Sequence, residues 1–167
     1  MNRMRLSGVL ALALLSACTL SANGESKAVG CEAGAAKGQS AAGLEQVVLC
    51  VSSGAKTHAF TTEIARTSAE QAKGMMFRTE MPDSTAMIFP FPQPRPASFW
   101  MKNTVIPLDI IFVRTNGTIE SIAENTVPYS TDPVLSGEPV GAVLEIRGGL
   151  AAELGISAGD KVAWQSN

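Results

Sequence analysis

From residue 46 to residue 164, hydrophobic positions come in short runs, many alternating with polar ones and punctuated by Gly, Pro, Asn and Asp. Period-two alternation marks a half-buried strand, and a short apolar run between turn residues marks a buried one. On this basis strands are expected over residues 46–51 (QVVLCV), 57–65, 86–91, 99–102, 108–114, 118–125 and 140–147, with a last one inside 156–164 after the turn at Gly159-Asp160. Asn116-Gly117 between two such runs is a strong hairpin signal. Helical signals are few. Ser68 with Gln71 three residues later reads as a capping box opening a short helix that Gly74 ends or weakens, and Gly148-Gly149 opens another through Leu154. Pro90, Pro92, Pro94 and Pro96 are expected to interrupt regular structure, since proline lacks the ladder donor. About seven or eight short strands with one or two short helices predict a mainly β domain, a compact sandwich or barrel-like antiparallel sheet.

The first 44 residues do not share this pattern. Arg3 and Arg5 precede an apolar run over 6–15 that is too short to span a bilayer as a helix. The run ends in Leu15-Ser16-Ala17-Cys18, which resembles a bacterial lipobox and implies cleavage before Cys18 and lipid attachment to it; a plain signal peptide with an incidental Cys is the alternative. Residues 18–44, rich in Ala, Gly and Ser, read as a flexible tether to a single domain over 45–167. The protein is therefore expected to be exported and held at a membrane through lipid on Cys18. Cys31 and Cys50 then remain in an oxidising compartment, where a bridge and free thiols both stay open.

Removing Arg3 and Arg5 leaves 11 basic against 15 acidic residues with no basic run, which speaks against nucleic acid as a partner. Nothing calls for a cofactor or a metal. One His, no Gly-x-Ser-x-Gly and no His-rich cluster leave few groups for nucleophilic or metal-assisted catalysis. Met75, Met76, Met81, Met87 and Met101 could hold Cu(I), but they also alternate with Phe and Ile as core residues do.

The densest chemistry lies in FWMKNTVIPLDIIFV, residues 99–113. Strand alternation puts Trp100 and Lys102 on one face, Phe99 and Met101 on the other. An aromatic plane beside the donors of Lys102, Asn103 and Thr104 suits a sugar ring or another small polar ligand; the competing reading makes Trp100 core and leaves Asn103 and Thr104 to close a turn. Arg66 and Arg78, flanking the first helix, could grip an anionic group or tie the helix to the sheet. Asp109 in an apolar strand needs a partner, with Lys102, Arg66 and Arg78 as the nominees. Glu145 is the expected mate of Arg147, and Asp109 with Glu145 are nominees for a carboxylate pair.

Five motifs stand in order along the chain: GMMFR (74–78), MIFPF (87–91), FWMKNTVIPLDIIFV (99–113), VLEIRGG (143–149) and GISAGDKV (155–162). Together they resemble the domain of unknown function family number 192, an exported or membrane-attached family of bacteria and archaea, over about residues 46–165. The resemblance implies a mainly β fold with one or two helices and brings no activity with it. The leading reading is a lipid-anchored extracytoplasmic domain that binds a small polar or glycan-like ligand through Trp100, Lys102, Asn103, Thr104 and an arginine. The alternatives are an envelope lipoprotein that binds a protein partner, and an envelope hydrolase using Asp109 and Lys102 as an acid–base pair.

Overall fold

The structure, a computed structural model, describes residue 1 and residues 31–165; the expected signal segment and Cys18 lie outside them. Ten strands and two short helices follow one another as β1 (Ala36–Gln39), β2 (Glu45–Ser53), β3 (Lys56–Ile64), α1 (Ser68–Lys73), β4 (Thr85–Arg95), β5 (Ser98–Phe99), β6 (Leu108–Val113), β7 (Ile119–Ala123), β8 (Val134–Leu135), β9 (Val140–Arg147), α2 (Leu150–Leu154) and β10 (Lys161–Ala163). The mainly β expectation holds, with two amendments. The principal sheet is mixed: in the order β1-β2-β3-β4-β9-β6-β7, with β10 also on β2, every pair is antiparallel except β3 and β4, which α1 connects as a parallel crossover. The sheet also stays open. It curls until β10 reaches the β6–β7 hairpin through a bridge between Thr118 and Lys161 and a hydrogen bond from the Val162 amide to the Gly117 carbonyl, 2.8 Å, but it does not close into a barrel.

The tether expected through residue 44 is structured from residue 31 among the described residues. β1 pairs with β2, and Cys31 is disulfide-bonded to Cys50, with Cα atoms 6.1 Å apart. Every residue of β1 is exposed, so its backbone pairing and the bridge hold it rather than burial. The proline run does not interrupt β4, which pairs with β9 at Pro90↔Ala142, bulges, and resumes at Arg95↔Val140. A bulge is where a strand tolerates residues that cannot donate.

The capping box sits one residue earlier than expected. Thr67, not Ser68, caps α1: its hydroxyl accepts from the Glu70 amide, while the Glu70 carboxylate accepts from the amides of Thr67 and Arg66 at 2.8 and 2.7 Å. These backbone donors hold the Glu70 carboxyl below the usual range, the Thr67 amide contributing most. An ionised carboxylate is the stronger acceptor, which leaves Gln71 free to staple helix to sheet by donating to the Ala65 and Pro90 carbonyls, each at 3.1 Å.

Both faces of the sheet are covered, which is why β6 is buried at every position and reads as an unbroken apolar run. Leu49, Phe60, Ile88, Ile111, Leu144 and Ile146 pack on one face with Leu150 and Ala151 of α2. Met87, Phe89, Leu108, Ile110, Phe112 and Val143 pack on the other with Met75, Met81 and Met101 from the loops. Met75, Met81, Met87 and Met101 thus belong to the second core, while Met76 is half-buried.

Candidate functional site

Two carboxylates sit in the buried middle of the sheet. Asp109 on β6 is wholly buried and points to the α2 side. Its oxygens accept from the backbone amides of Asn125, Gly149 and Ala151 at 2.7, 2.8 and 2.8 Å. Gly149 precedes α2 in a left-handed conformation and supplies no side-chain cap, so Asp109 caps the helix from a neighbouring strand. The expected pairing of Asp109 with Lys102, Arg66 or Arg78 is not formed. Arg66 pairs with Glu45 at 3.0 Å, Arg78 with Glu63 at 2.6 Å, and the Lys102 ammonium lies 5.1 Å above the Trp100 ring. With its oxygens committed to backbone amides, Asp109 is not the base of an acid–base pair with Lys102.

Glu145 on β9 lies on the opposite face. It pairs in register with Met87 on β4 and Ile110 on β6, whereas Asp109 pairs with Ile146. The two carboxylates therefore cannot flank one bond as a hydrolytic pair. Arg147 is not the mate of Glu145 either: at the exposed strand end it turns to the surface carboxylates of Asp83 and Glu153. Glu145 keeps 5% of its surface, and its Oε2 atom has no hydrogen-bond partner among the described residues. Burial pushes its carboxyl up to about 8, against the opposing pull of the Arg78 charge.

Glu145 belongs to the wall of a cavity of about 310 Å³. Trp100, Phe99, Phe89 and Met75 give that wall its apolar area, Thr104 and Gln71 its neutral polar groups, and Lys73 and Arg95 its positive charge. Trp100 is half exposed. With Ser98 and Phe99 it also borders a second depression of about 270 Å³ on the side of Thr131 and Pro133, so the ring stands as a ridge between the two.

Two residues beside the cavity wall, Phe77 after Met76 and Asn103 before Thr104, have unusual backbones, as do two others. Phe77, Asn103, Asn125 and Tyr129 are the described non-glycine residues with positive φ, at 65°, 56°, 47° and 63°. They knit neighbouring loops together: the Phe77 amide donates to the Asn103 carbonyl at 2.9 Å, the Tyr129 amide to the Thr104 carbonyl at 3.1 Å, and the Asn125 amide to Asp109. Left-handed conformations of bulky residues cost free energy and concentrate at functional sites. Phe77 and Tyr129 display their rings to solvent, 71% and 62% exposed.

Of the ligand-binding residues expected from the sequence, Trp100 and Thr104 line the cavity. Lys102 stacks on the far edge of this group over Trp100. Asn103 forms the turn behind it, its amide 3.8 Å from the Met76 sulfur. Arg78 borders a separate cavity beside Glu63, and Arg66 borders neither this cavity nor that one. The sequence did not single out Lys73, Arg95, Gln71 and Glu145 as sharing a cavity with Trp100 and Thr104. For Glu145 the signal was there: a lone acid inside an apolar strand.

The sequence profile of DUF192, described as an uncharacterized ACR, matches residues 49–164. The chain belongs to the DUF192 family. Two solved structures share its fold. A protein of unknown function from Novosphingobium aromaticivorans is 53% identical, with a TM-score of 0.76 over 80% of this chain and 95% of that one. A protein from Sinorhizobium meliloti, described as a possible transcription regulator, is 38% identical, with a TM-score of 0.70 over 71% of this chain and 93% of that one. No curated protein matches the chain.

Proposed function

We propose that this DUF192 domain is a lipid-anchored, extracytoplasmic binding module whose ligand is a small glycan-like molecule held in the cavity beneath Trp100. The observation that carries the reading is Glu145. A buried carboxyl with an oxygen left without a partner is costly, and here the residue stands on a cavity wall, where a turn of the carboxyl would bring that covered oxygen to a ligand hydroxyl. The other groups suit the same ligand. A sugar ring offers an apolar face for stacking on Trp100 and hydroxyls for Thr104 and Glu145. The depression beyond Trp100 offers room for a second ring. The Cys31–Cys50 bridge supports an oxidising compartment, and the LSAC segment supports anchoring through Cys18.

Thermal denaturation with saccharides, amino acids and nucleotides at high concentration tests this reading. A ligand at about 100 times its Kd stabilises the fold by roughly 2.7 kcal/mol, several degrees for a domain of this size. The expected result is a shift with saccharides that Trp100→Ala abolishes while the variant remains folded. A shift that survives Trp100→Ala would move the site elsewhere.

A further inference from the structure

We infer that the ligand is an acidic saccharide, one whose ring carries a carboxylate or a phosphate, with the anionic group seated at the cavity mouth by Arg95 and Lys73 and a ring hydroxyl meeting Glu145. This deepens the binding reading and rests on it.

The arginines decide the charge of the ligand. Among the described residues Arg66, Arg78, Arg114 and Arg147 are each paired with a carboxylate. Among the described residues Arg95 has no carboxylate within pairing distance, although the protein carries 15 acidic residues against 13 basic ones. Its guanidinium lies 4.0 Å from the centre of the Phe91 ring instead. A ring face supports the cation and fixes its plane while leaving the outward N–H donors free. A planar fork with free donors is what a carboxylate or phosphate binds in bidentate fashion.

Lys73 adds a second positive charge on the same cavity wall, from the last turn of α1. Glu145 is the one acidic residue lining the cavity among the described residues, and it sits within the core rather than at the mouth. The mouth is therefore positive, and the buried wall supplies an oxygen seeking a hydrogen-bond partner. A neutral sugar would leave Arg95 and Lys73 unused, and a simple anion such as acetate would leave Glu145 and Trp100 unused. An acidic sugar engages all four.

The test uses the protein as the cell makes it, solubilised in mild detergent, and isothermal calorimetry with matched probes. These are glucose against glucuronate, N-acetylglucosamine against N-acetylmuramate, and glucose against glucose 6-phosphate. The acidic member of at least one pair should bind ten-fold or more tightly than its neutral partner. Arg95→Gln should remove that preference by lowering the affinity for the acidic member ten-fold or more, and Lys73→Gln should reduce it. Preference confined to the uronate and muramate pairs assigns a carboxylate; preference confined to the phosphate pair assigns a phosphate. Equal affinity within every pair, or a preference that persists in both variants, overturns the acidic assignment and leaves the saccharide site standing. Failure of every probe to bind the wild-type protein overturns both.

Discussion

Asp109 and Glu145 make an informative pair. Both are carboxylates buried in apolar strands, on neighbouring strands and one register step apart, yet they face opposite sides of the sheet. On the α2 side, Asp109 is finished: three backbone amides saturate it, and it orders a helix start and two loops. On the Trp100 side, Glu145 is unfinished: one oxygen lacks a partner among the described residues, and the residue borders a cavity. A buried acid whose acceptor capacity is filled by the fold contributes stability, whereas one left open keeps capacity for something that arrives later.

The largest effect should come from the finished side. Asp109→Ala strands three amide donors, and each buried donor left unsatisfied costs about 1–3 kcal/mol; urea denaturation should show a large loss of stability or outright unfolding. Asp109→Asn, which keeps one acceptor oxygen, should recover part of it.

The unfinished side should behave in the opposite way. The Glu145 carboxyl rises from the ordinary 4.5 to about 8 in the fold, so the native state holds the proton more tightly than the unfolded chain. The stability this provides is complete below 4.5 and is lost as pH rises through 8. Stability measured from pH 4.5 to 8.5 should decline in the wild type relative to Glu145→Gln, until the variant is the more stable by a few kcal/mol, since each tenfold gain in proton affinity is worth about 1.4 kcal/mol. Parallel pH profiles for the two proteins would mean that the fold does not raise the Glu145 carboxyl.

A smaller effect probes the scaffold between them. A Cβ at Gly148 would lie 2.8 Å from the Pro107 Cβ and 2.9 Å from its carbonyl carbon. Gly148→Ala should therefore cost about 1–3 kcal/mol through overpacking, visible as a lower denaturation midpoint. The smallest stability effect belongs to the rim. Trp100 is half exposed, so Trp100→Ala should change stability by less than about 1 kcal/mol while removing saccharide binding. A large loss of stability would return Trp100 to the core.

Much of the fold was legible because period-two burial survives in the chain. β9 falls on 140–147 as the apolar run predicts, and α2 lies between its two glycines. β1 was not legible, since AKGQ buries no side chain and only backbone pairing and the nearby disulfide keep it on the sheet. The parallel β3–β4 pair was hidden too, because a single crossover leaves no periodic trace. For the site, Trp100 and Thr104 stood out by their clustering. Arg95 and Lys73 did not, because β4 and α1 bring them to the cavity across a separation that only the crossover closes. Arg147 was mispaired with Glu145 because face alternation says nothing about depth: Arg147 sits at a strand end and Glu145 inside.

The most direct measurement is a carbon-13 NMR titration of the Glu145 carboxyl, assigned by comparison with Glu145→Gln, in the free protein and with saturating N-acetylmuramate or another bound acidic saccharide. The expected result is a free midpoint near 8 and a resonance that moves when the saccharide binds. A midpoint in the ordinary carboxylate range, with a signal indifferent to bound saccharide, would contradict the assignment of Glu145 as the open acceptor of the site.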